Sequence, residues 1–125
     1  MIQLDHLILH VREPAATVKF YGEVLGFTHA GRAEPFDVLR VNEGLTLDLM
    51  QAPPGHPQHL AFALERSEFE AVHQRLIALR IPFGGTPFDR SNGAPGQTQG
   101  ARGMADSIYF YDPDQNNIEI RCYSR

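Results

Sequence analysis

The sequence predicts an α+β chain built from two tandem βαβββ modules, about 1–52 and about 57–125, forming one domain. Three observations predict it. Short segments alternate apolar and polar residues with the period of two expected of half-buried strands. Each half carries one amphipathic helix directly after its first strand. The halves also resemble each other: "DHLILHV" lies over "QHLAFAL", and "EVLGF" over "ALRIPF", so the pattern is an internal repeat.

In the first half, 3–11 reads as a strand and 14–25 as a helix opened by Pro14 in its first turn and closed by Gly26. Strands follow near 28–31, 36–41 and 45–51, punctuated by Gly31, Pro35, Asn42 and Gly44. After the linker "APPGHP" the order restarts with a strand at 58–64. A helix then begins at "SEFE", where Ser67 and Glu70 have capping-box spacing and Phe69, Val72, Leu76 and Leu79 recur at helical intervals. Strands are expected near 81–88, 106–111 and 116–123. Between the first two of these, 89–104 is glycine-rich and polar without apolar period, a loop that is either a mobile lid or disordered.

At 125 residues, 42% hydrophobic and 21% charged, the chain has the composition of one globular domain rather than of a disordered segment. The net charge of −4 comes without a basic block that could follow a phosphate backbone, which argues against nucleic-acid binding. No apolar run approaches membrane-spanning length, and "MIQLDHLILHVREP" shows neither a basic leader nor a cleavage site, so a cytoplasmic protein is expected. The single cysteine, Cys122, reads as a small buried side chain.

Side chains alternate across a strand, which divides each strand into two faces. One face is apolar throughout: Leu7, Leu9 and Val11; Leu45, Leu47 and Leu49; Leu60, Phe62 and Leu64; Ile108 and Phe110; Ile118 and Ile120. That face packs on the helices. The opposite face carries His6, Asp48, His59 and Glu119, one histidine near the start of each half and one carboxylate near its end. Two imidazoles and one or two carboxylates on one inward face are the nitrogen and oxygen donors of a divalent metal site with positions left for substrate. Fe, Mn, Ni, Co and Zn all suit such donors. His10, His29, His56 and His73 fall outside this pattern.

The repeat, the opening "LDHLILHVREPAATVKFYGEVLGF" and the ending "SIYFYDPDQNNIEI" resemble the vicinal oxygen chelate superfamily, which includes glyoxalase I, extradiol dioxygenases, fosfomycin-resistance enzymes and bleomycin-resistance proteins. The ending departs from the family's DPDGNxIE in having Gln115 at the glycine. The resemblance implies an eight-stranded cup-shaped half-barrel around one divalent metal, in a homodimer that takes a small-molecule substrate. It places His6, His59 and Glu119 on the two-histidine, one-carboxylate ligand set and Asp48 at the position of a fourth ligand. It implies glyoxalase-like lyase or isomerase chemistry on a substrate chelated through vicinal oxygens, with Glu119 or Asp48 removing a proton alpha to a carbonyl. The alternatives are an Fe(II) extradiol dioxygenase, in which Tyr109, ten residues before the last glutamate, is an active-site residue, and a bleomycin-resistance-like binding protein without catalysis.

Overall fold

The computed structural model describes residues 1–53 and 55–124, and the chain divides into two compact units, Met1–His56 and Pro57–Arg125.

Unit 1 runs β1 (His6–Val11), α1 (Pro14–Leu25), β2 (Thr28–Ala33), β3 (Phe36–Asn42) and β4 (Leu45–Gln51). Its four-stranded sheet has the order β1-β4-β3-β2, with β1 parallel to β4 and the other pairs antiparallel. A parallel pair cannot be closed by a tight turn, and here α1 with β2 and β3 makes the long return. Leu9, Val11, Leu47 and Leu49 are buried together with Tyr21 and Val24 of α1, so the apolar faces form the core as the alternation requires. Proline stands in the first turn of α1, and the helix ends at Gly26, whose φ of 75° lets the N–H groups of Gly26 and Phe27 bond back to Gly22 and Tyr21.

Unit 2 repeats the order: β5 (His59–Ala63), α2 (Arg66–Ala78), β6 (Gly96–Gly100), β7 (Gly103–Tyr111) and β8 (Asn117–Cys122). Its sheet is β5-β8-β7-β6, again with one parallel pair, β5 with β8. Phe69, Val72 and Leu76 of α2 are buried with Ile108, Phe110, Ile118 and Ile120. Leu79, at the end of the helical series, is instead exposed. Cys122 is buried and unoxidised.

Three expectations are corrected. The strand expected at 81–88 does not form: Gly84 makes an isolated bridge to Tyr109, and Phe88 stands 98% exposed on a turn. The third strand of this module is β6, inside the segment read as a loop, and it returns into β7 through Ala101 and Arg102 alone. The capping box of α2 also lies two residues earlier, with Glu65 and Glu68 in place of Ser67 and Glu70. Finally, β1 begins at His6, not at residue 3.

Candidate metal centre

Sheet register determines which side chains share a face. In unit 2, His59 is paired with Asn117, Ala61 with Glu119, and Glu119 with Tyr109. His59, Glu119, Arg121, Ser107, Tyr109 and Tyr111 therefore lie on one face, opposite the core. The β6–β7 register adds Thr98 to it.

Glu119 is the centre of this face. Its side chain is 6% exposed, against 48% for His59, and His59 Nε2 lies 3.1 Å from Glu119 Oε1. The other carboxylate oxygen, Oε2, accepts a hydrogen bond from Arg121 Nη1. Arg121 is itself held on all sides: Nη2 donates to the carbonyls of Thr98 (2.9 Å) and Gly103 (3.2 Å), Nε to the Tyr123 hydroxyl (3.0 Å), and Nη1 also to Thr98 Oγ1 (3.3 Å). Gly100 makes room for it, since a Cβ there would stand 2.3 Å from the guanidinium carbon. Burial works against the Arg121 charge, yet the bonds to Glu119 and Tyr123 outweigh it and hold its pKa above the ordinary value.

Tyr109 is 3% exposed, its ring centroid 6.3 Å from that of His59, and its hydroxyl donates to Thr98 Oγ1 at 2.8 Å. Burial raises its pKa, the bond to Thr98 opposes the rise, and the Glu119 charge adds to it. The phenol is neutral at neutral pH. Tyr123 goes the other way: its oxygen accepts from the Arg102 backbone N–H and from Arg121, and these lower its pKa although partial burial raises it.

In unit 1, β1 and β4 put His6, Ile8 and His10 on the face of Thr46, Asp48 and Met50. His6 Nδ1 is 2.7 Å from Asp5 Oδ2, which raises the histidine pKa, as does the Asp48 charge, while desolvation opposes both. With Nδ1 engaged by a carboxylate, Nε2 is left available, an arrangement common among ligating histidines. Asp48 is partly buried, and its Oδ1 accepts a hydrogen bond from Thr46 Oγ1 at 2.9 Å. The side chain of His6 is half-exposed.

The structure thus brings His59, Glu119 and Tyr109 together in unit 2 and sets His6 beside Asp48's strand in unit 1. Among the described residues, no three His, Cys, Asp or Glu side chains are gathered into a metal-holding group. The donor chemistry nevertheless fits a divalent ion: two ligands about 2.1 Å from one ion and at right angles are about 3.0 Å apart, close to the His59–Glu119 spacing. His29 pairs with Asp37, and His73 packs on Phe83. Arg121 shares the Glu119 face by strand alternation, and it is the cation with which an inward Glu119 ordinarily pairs, as it does here. Thr98 was hidden in the glycine-rich segment, where the closely spaced Gly100 and Gly103 were the available sign of a hairpin.

Comparison with known proteins bears on the same features. Oxidase ChaP-H2 superposes with a TM-score of 0.86 at 25% identity, covering 98% of this chain and 94% of that one. Virulence protein STM3117 from Salmonella typhimurium is 27% identical over 97% of this chain and 84% of its own length, and its crystal structure matches with a TM-score of 0.77. Metapyrocatechase from Pseudomonas sp. (strain CF600) is 30% identical over 97% of this chain, a match that spans 39% of that longer protein. Two βαβββ modules with mixed four-stranded sheets are the fold these structures share, and residues 3–120 match the corresponding family model: the chain belongs to the Glyoxalase/Bleomycin resistance protein/Dioxygenase superfamily.

Proposed function

We propose that the chain is a metal-dependent enzyme acting on a small substrate bound through two neighbouring oxygens, and that its chemistry is oxidative ring cleavage of the extradiol type. His6, His59 and Glu119 are the ligands proposed for the ion, with Asp48 as a fourth candidate. Such an ion supplies Lewis acidity, and iron adds one-electron chemistry with dioxygen.

The observation that carries the choice of chemistry is the fastening of Glu119 by Arg121. Proton abstraction alpha to a carbonyl requires a carboxylate that leaves its partners and reaches the substrate carbon. Glu119 is buried and bonded to a guanidinium that four further hydrogen bonds immobilise. It suits a fixed ligand better than a mobile base. Tyr109 keeps its phenolic proton at neutral pH, donated here to Thr98 Oγ1, and with its ring beside that of His59 it is the candidate proton donor to substrate oxygen. The oxidase and metapyrocatechase names among the similar proteins support the same choice.

A glyoxalase-like reaction remains as a second reading because of Asp48, a carboxylate only partly buried and bonded at one oxygen by Thr46. It would serve as the base in place of Glu119. Oxygen uptake with catechols, against isomerisation of hemithioacetals, by protein loaded in turn with Fe, Mn, Ni, Co and Zn decides between them. The proposal expects oxygen uptake with Fe(II) that falls at least about a hundredfold in Glu119→Gln. Ligand binding without either activity would make it a sequestering protein. Sedimentation tests the accompanying proposal of a homodimer, twice the 14.0 kDa chain.

A further inference from the structure

We infer that Arg90 forms an anion-binding subsite on the His59–Glu119 face, and that the substrate carries a carboxylate in addition to its vicinal oxygens. The inference rests on the proposed function for the vicinal oxygens and on the geometry of unit 2 for the carboxylate.

The Arg90 guanidinium lies over two rings of this face, 5.1 Å from the centroid of Tyr109 and 4.9 Å from that of Tyr111. Tyr109 in turn contacts the His59 ring. One aromatic side chain therefore separates a planar cation from the candidate ligand pair, a spacing suited to a small substituted ring bound at both.

Arg90 also lacks the partners that a structural arginine has. Its one hydrogen bond among the described residues is a long one, 3.4 Å from Nη1 to the Phe110 carbonyl, and its Nε is buried with no acceptor. Arg121, on the same face, shows the contrast, with every nitrogen engaged. Buried N–H groups without acceptors are rare because each has given up water for nothing. Asp89, the adjacent acid, is turned to the N–H groups of Ser91 and Asn92. Since Glu119 and Arg121 neutralise each other, Arg90 leaves this face with an unanswered positive charge. A guanidinium over aromatic rings keeps a planar N–H fork of the kind that a carboxylate accepts from.

The segment bearing Arg90 is fixed in place. Gly84 exchanges two backbone hydrogen bonds with Tyr109, at 2.8 and 3.0 Å, the Gly93 N–H bonds to the Phe83 carbonyl at 2.8 Å, and Ser107 Oγ donates to the Gly85 carbonyl. Arg90 is thus presented from a turn anchored on both sides, and it remains only half-buried, open to a ligand.

The test measures binding of 2,3-dihydroxybenzoate, its uncharged amide and catechol by calorimetry, to metal-loaded and metal-free protein, in wild type, Arg90→Gln and Arg90→Lys. The subsite predicts that wild type prefers the carboxylate over the amide by about tenfold, that Arg90→Gln erases this preference while leaving catechol affinity unchanged, and that Arg90→Lys restores part of it. The amide comparison needs no variant and so stands even where a substitution impairs folding. Equal affinity of wild type for acid and amide overturns the inference, as does an equal loss of all three ligands in Arg90→Gln. A carboxylate preference that depends on Arg90 but not on metal supports the subsite and counts against the metal reading alone.

Discussion

Arg121 binds one carboxylate oxygen of Glu119 and leaves the other facing His59. Both side chains are 6% exposed, and neither has water to replace its partner. A pair so placed is costly to break from either side, because the survivor is a buried charge.

Arg121→Gln should therefore destabilise the fold by about 3 kcal/mol, read as a shift in the urea midpoint. Glu119→Gln removes the same ion pair and should cost a comparable amount. The double variant should be less unstable than the sum of the two, since the uncompensated charge disappears. Additive losses would mean that the two side chains do not depend on each other.

Gly100→Ala tests the seat of the guanidinium. The added methyl would overlap the Arg121 head group, which is backed by the carbonyls of Thr98 and Gly103. A loss of about 1–3 kcal/mol is expected from such overpacking, with metal affinity falling although no ligand is touched. Unchanged stability would show that Arg121 has space to move.

Both helices are followed by a left-handed residue. Gly26 caps α1 at φ 75°, and Arg80, one residue past the Leu79 cap of α2, stands at φ 57°, with the Ile81 N–H bonding to the Leu76 carbonyl and the Phe27 N–H to that of Tyr21. Only one of them is glycine. Arg80→Gly should raise stability by about 1 kcal/mol, and Gly26→Ala should lower it by a similar amount, both in thermal or urea unfolding.

Tyr109 and Tyr123 should titrate on opposite sides of the ordinary tyrosine value, followed by absorbance near 295 nm in Tyr109→Phe and Tyr123→Phe. The folded pKa of Tyr109 is raised by burial, so its contribution to stability is complete below the unfolded value near 10 and is lost as pH rises from there through the folded pKa. The folded pKa of Tyr123 is lowered by the Arg102 N–H and Arg121, so its contribution grows as pH rises through that lower value and is complete above the unfolded one. Coincident titration of the two phenols would contradict these environments.

Much of this was legible in the sequence, for reasons visible in particular residues. Alternation alone put Leu9 and Val11 in the core and His6 on the other face, because register leaves a strand only two orientations. It likewise put His59, Glu119 and Arg121 on one face. The third strand of the second module was misplaced because β6, "GQTQG", has no apolar side to mark it. Its small and polar residues line the Glu119 face, where Thr98 and Gly100 receive Arg121. Phe88 misled in the opposite sense: its apolar character suggested a strand, and local turn chemistry at Thr86 and Asp89 exposes it instead. Gln115 stands at φ 65° where the family pattern has glycine, and the turn still forms because Asp112 accepts from the N–H groups of Asp114 and Asn116. The side chain of Asn116 then bonds to the Gln58 N–H, next to His59, so this turn also sets the start of β5.

The proposed function depends on a divalent metal held by His6, His59 and Glu119, which elemental analysis of tag-free protein measures. Wild type, His6→Ala, His59→Ala and Glu119→Gln, each checked for folding, would be measured side by side after loading and desalting. Close to one transition-metal ion per chain is expected in wild type and little or none in the three variants. Wild type that stays empty with iron, manganese, nickel, cobalt and zinc alike, or variants that keep their metal, would contradict it.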